Sequence, residues 1–83
     1  MSWKEENNKM VVSLTFEDFV QAFAFMAEVA IHAEKMNHHP TWTNTYNKVD
    51  FALSTHDADN TVTQKDKDLA KIIDKIYKRY HKV

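Results

Sequence analysis

The chain has 83 residues, neither cysteine nor glycine, a formal net charge of −1, and is 43% hydrophobic and 28% charged. That length fits one domain spanning residues 1–83, and the composition is globular rather than disordered. Without cysteine there is no disulfide scaffold, thiol nucleophile or Cys-based zinc site, and near-neutral charge argues against direct binding of a nucleic-acid backbone.

No apolar run approaches the ~20 residues of a membrane helix, so no membrane partner is expected. The stretch from Met1 to Glu6 lacks the apolar core of a signal peptide, and the cytoplasm is the expected location. A domain this small without a disulfide commonly gains stability by association, so a homodimer or homotetramer is expected.

In a chain without glycine, Asn and Asp are the next-best residues for positive φ, which puts the turns at Asn7-Asn8, Asn47-Lys48 and Asp57 to Asn60. Trp3 to Glu6 and Lys9 to Thr15 form a hairpin across the first of these. Met10, Val12, Leu14 and Phe16 alternate with Val11, Ser13 and Thr15, the period of a strand.

A helix then opens with Thr15 as N-cap and Asp18 three residues on, and runs to about Met36. It has two apolar stripes. Phe16, Phe19, Val20, Phe23, Met26, Ala27, Ala30 and Ile31 form the broader one, which is expected to face the domain's own sheet. Ala22, Phe25, Val29 and Met36, with His32 among them, form the other, the expected subunit interface.

A second hairpin follows Pro40, from Trp42 to Tyr46 and Val49 to Thr55. The last helix opens at Thr63, with Asp66 at its third position, and its stripe is Leu69, Ile72, Ile73, Ile76, Tyr77 and Tyr80. Lys71, Lys75, Lys78, Arg79 and Lys82 suit the negative end of its dipole and are expected to be solvated. The order β-β-α-β-β-α predicts an α+β fold, a four-stranded antiparallel sheet with helices packed on one face.

The chemistry-bearing residues are histidines at element ends. His38 and His39, followed by Pro40, leave the first helix, and His56 ends the last strand. Imidazole alone titrates near neutrality, so such groups give and take protons without a cofactor. Glu34 falls, by helical phase, in the middle of the broad stripe. A carboxylate there needs a partner, and a neighbouring imidazole would serve. Asp66 carries a capping role and a site role on equal terms. Zinc on His38, His39, His56 and Glu34 is set aside, because adjacent histidines rarely both reach one ion; no metal is expected. His81 is assigned no role.

The pattern Glu34, His38-His39-Pro40, Tyr46, His56, Asp66 resembles the signature of the pterin-4a-carbinolamine dehydratases. The likeness extends through Phe16 to Phe19, Ala22 to Met26, Tyr46 to Val49, Leu53 to His56 and Asp66 to Ala70. One departure is the helix that usually precedes the family's first strand: this chain starts almost at that strand, with Trp3.

The resemblance implies dehydration of a 4a-hydroxytetrahydropterin to the quinonoid dihydropterin, with the pterin as substrate and no cofactor. It implies that His38 and His56 are the acid/base pair, in either assignment, and that His39 orients the substrate. Glu34, Asn37, Ser54, Thr55, Asp57 and Asp66 are implied in substrate binding, with Trp3 near the pterin. Some animal relatives also dock through helices as dimerisation cofactors for a homeodomain transcription factor, which makes a binding module the rival class.

Overall fold

A computed structural model describes residues 3–80. The elements are β1 (Lys4–Glu6), β2 (Lys9–Thr15), α1 (Phe19–Met36), β3 (Thr41–Thr45), β4 (Lys48–Leu53) and α2 (Gln64–Tyr80), with a single 3-10 turn at His56–Ala58 before α2. The strands form one antiparallel sheet in the order β1-β2-β4-β3. The α+β order and both hairpins expected from the alternation are present.

Register explains which face is covered. Val12 pairs with Phe51 and Phe51 with Trp42, while Leu14 pairs with Val49. These residues share one face, and Leu14, Val49, Phe51 and Leu53 are buried there beneath the helices. The opposite face carries Val11, Ser13, Asp50, Ala52, Thr41 and Thr43 along an open hollow. From α2, Leu69, Ala70, Ile73 and Ile76 complete the core, with Ile72, Tyr77 and Tyr80 packed around it.

The two stripes of α1 are largely exchanged relative to the expectation, although Phe16 and Met26 of the broader one do pack in the core. Ala22, Phe25, Val29 and Ala33 are the buried residues of α1, whereas Phe19, Val20, Phe23 and Ile31 are exposed by 47%, 72%, 59% and 59%. The physical reason is aromatic packing at the centre: Phe25 meets Phe16 at 4.8 Å and Phe51 at 6.0 Å between ring centroids. The small residues Ala22 and Ala33 on the same side as Phe25 leave room for close approach. Glu28, on the flank of that side, pairs with Arg79 of α2. His32 is half-buried.

The N-cap of α1 is Asp18 rather than Thr15: its Oδ1 accepts the Gln21 N–H at 2.8 Å. Thr15 stays in β2, paired with Lys48. The residues with positive φ are Asn7, Asn8, Asn37, Tyr46, Asp59 and Asn60. The second hairpin turns at Tyr46-Asn47, one residue earlier than expected, because the Asn47 amide is committed to Phe16: its Nδ2 donates to the Phe16 carbonyl, and the Phe16 N–H donates back to the Asn47 carbonyl. Among the described residues no helix is long and apolar enough to cross a membrane. His81 and Lys82 lie outside the described residues.

Candidate active site

The end of α1 aims the first histidine. Asn37 takes φ 53° and ψ 41°, and its N–H donates to the Glu34 carbonyl while the His38 N–H donates to that of Ala33. This is a Schellman closure with Asn in the place usually held by glycine. It folds the chain back on the helix, and Pro40 then commits it to the extended β3.

His38 is thereby buried, 8% exposed, and its Nε2 lies 2.6 Å from Oδ1 of Asp66. Asp66, in the first turn of α2, has no exposed surface. Its Oδ2 accepts the Thr55 hydroxyl and the Thr63 backbone N–H, each at 2.8 Å. Both carboxylate oxygens are therefore occupied, as a buried charge requires. Asp66 makes the capping contact with Thr63 and holds His38 at once; the capping role read from the sequence is met, while the second oxygen goes to a histidine rather than to the cleft that His38 and Thr55 line. As a carboxylate it accepts the Nε2–H of His38, leaving Nδ1 as the free ring nitrogen.

His39 faces the other way. Its Nε2 lies 2.9 Å from Oε1 of Glu34, with side chains 58% and 80% exposed. The imidazole partner expected for Glu34 is there, but the expected reason is not: Glu34 stands on the outward side of α1, not toward the core. His56 is exposed, with Nδ1 3.4 Å from Oδ1 of Asn60.

An open cleft of about 240 Å³ brings these elements together, lined by Asn37, His38, His39, Ser54, Thr55, His56, Asp57 and Lys65. The three candidate catalytic histidines share it, as do Asn37, Ser54, Thr55 and Asp57. Glu34 and Asp66 do not line it: one supports His39 from outside and the other His38 from below. Lys65 was not among the sequence candidates, because a lysine opening a helix reads as solvated. Trp3 lines a different hollow, against Met10 and Ala70, where its Nε1–H donates to Asp74 at 2.8 Å. Among the described residues no three His, Asp or Glu side chains converge as a metal-ligand group.

The family model described as "Pterin 4 alpha carbinolamine dehydratase" matches residues 1–76. A relative from Burkholderia vietnamiensis is 58% identical over 64 residues, 77% of this chain and 62% of that protein. One from Burkholderia pseudomallei is 58% identical over 66 residues, 80% of this chain and 64% of that protein. Both carry the name "Putative pterin-4-alpha-carbinolamine dehydratase". The chain thus spans less than two thirds of the length of these curated relatives.

A crystal structure of a transcriptional coactivator/pterin dehydratase from Brucella melitensis superposes with a TM-score of 0.84 at 42% identity, covering 89% of this chain and 80% of that one. A pterin dehydratase-like protein identified as a RuBisCO assembly factor in the alpha-carboxysome superposes at 0.78 with 19% identity, over 92% and 89% of the two chains. That second likeness is one of fold alone, on which function is free to differ. The matched family model, the shared fold and the histidine signature agree: the chain belongs to the pterin-4a-carbinolamine dehydratase family.

Proposed function

We propose that this cleft dehydrates a 4a-hydroxytetrahydropterin to the quinonoid dihydropterin by histidine acid/base catalysis, in pterin recycling. The C4a–oxygen bond breaks as a ring nitrogen forms its double bond to C4a. The hydroxyl leaves as water after accepting a proton, and a ring N–H proton goes to a base. One imidazole that donates and another that accepts account for both transfers, and the substrate needs no redox partner because no net oxidation occurs.

The observation that carries the reading is the buried Asp66–His38 contact at the base of the cleft. It favours the tautomer with Nε2–H, which leaves Nδ1 of His38 as the base. His56, on the rim, is then the acid that protonates the leaving hydroxyl. His39, steadied by Glu34, orients the pterin, while Asp57, Ser54 and Thr55 offer acceptors to its amino-pyrimidinone edge. A dehydration assay with chemically generated 4a-hydroxytetrahydropterin tests this. His38→Ala and His56→Ala should each lower kcat by about 10²–10⁴-fold. A wild type that binds pterin yet adds nothing to the spontaneous rate leaves a binding module.

We also propose homo-oligomerisation, now through the outward stripe of α1. Phe19, Val20, Phe23 and Ile31 are large apolar side chains left exposed along one helix, the signature of an interaction surface. Phe23→Glu should reduce the particle mass seen by light scattering; an unchanged mass removes this surface from consideration.

A further inference from the structure

Lys65 lines the cleft but has no part in the proton transfers above. Among the described residues its ammonium has no ion-pair or hydrogen-bond partner; its backbone N–H lies 3.3 Å from the Thr63 hydroxyl. The first turn of a helix presents unpaired N–H groups and favours acids, so a cation there is repelled by its own helix. The acid of that turn gives no relief. Asp66 is fully buried, with its oxygens turned to His38, Thr55 and Thr63. Asp57, the carboxylate lining the same cleft, is not paired with Lys65 either. A lysine without a counter-ion thus borders the cleft, at a helix position that disfavours a cation.

The pterin ring is neutral, so it complements Asp57 with its N–H donors but has no full charge to offer an ammonium. Resting on the pterin reading above, we infer that Lys65 is a specificity residue that reads an anionic substituent, a carboxylate or a phosphate, on the side chain of the pterin. The ring is placed by neutral contacts and the substituent by charge, which separates recognition of the reacting part from recognition of the tail.

Oxidised pterins serve as non-reacting probes. Fluorescence titrations compare 6-hydroxymethylpterin, its phosphate monoester and 6-carboxypterin on wild type, Lys65→Gln and Lys65→Arg. An anionic probe should bind wild type about two- to five-fold more tightly than the neutral one, the range of a solvent-exposed charged contact. Lys65→Gln should remove that gain, Lys65→Arg should restore it, and added salt should erode it. A gain confined to the phosphate ester, or to 6-carboxypterin, supports the assignment and identifies the substituent. Equal binding of the three probes overturns it, as does an equal loss for all three in Lys65→Gln; in both cases the pterin site survives. Failure of every probe to bind wild type overturns the pterin reading and this assignment together.

Discussion

His38 and His39 are neighbours in the chain, each meets a carboxylate, and the two pairs differ in nearly everything else. The His38–Asp66 pair joins residues 28 apart in sequence, is 9% and 0% exposed by side chain, and sits in a network with Thr55 and Thr63. The His39–Glu34 pair joins residues five apart, and water reaches both members. Desolvation makes the first pair costly to break and fixes its geometry. Solvent screening makes the second cheap to lose and easy to rearrange. Proximity in sequence therefore says nothing about strength here; what matters is which side of the α1 terminus each ring is turned to.

The strongest way to break that contrast is Asp66→Ala. It leaves His38 and the Thr63 N–H without their acceptor and should cost about 3–5 kcal/mol in urea unfolding. Stability within about 1 kcal/mol of wild type would mean that the buried network is not structural. Glu34→Gln sharpens the other side. It should shift stability by no more than about 0.5 kcal/mol, and its effect should appear as a few-fold rise in KM with kcat nearly intact. A kcat loss as large as that of His38→Ala would move Glu34 and His39 into the proton-transfer step.

The hairpins were legible because strand alternation and Asn turns agree, and α2 because a single apolar stripe has one place to go. The candidate site was legible through the spacing of its histidines, and three of them do share one cleft. The orientation of α1 was not. Periodicity reports that a side is apolar, not what covers it, and here the more apolar side is the one left outside. Glu34 followed the same error, since its assignment to the core rested on that phase. Lys65 escaped for another reason: whether a helix-opening lysine meets solvent or a cleft depends on where β4 ends, which only the packed chain determines. Asp66 was ambiguous because one carboxylate has two oxygens: one meets the capping reading at Thr63, and the other is spent on His38, a partner the sequence reading did not give it.

The lack of glycine constrains the unfolded chain as well as the turns. Asn, Asp and Tyr hold the left-handed positions, and each narrows the conformations open before folding relative to glycine, which offsets part of the cost of holding positive φ afterwards. At Tyr46 that exchange is least favourable, because its bulky side chain makes none of the local backbone hydrogen bonds that help Asn and Asp there. Tyr46→Asn should stabilise by about 0.5–1 kcal/mol, and Tyr46→Gly by less, since glycine relaxes the folded turn but frees the unfolded chain. A denaturant melt of both variants separates the two contributions: Asn above Gly means that the stiffness of the unfolded ensemble is part of what keeps this small domain folded.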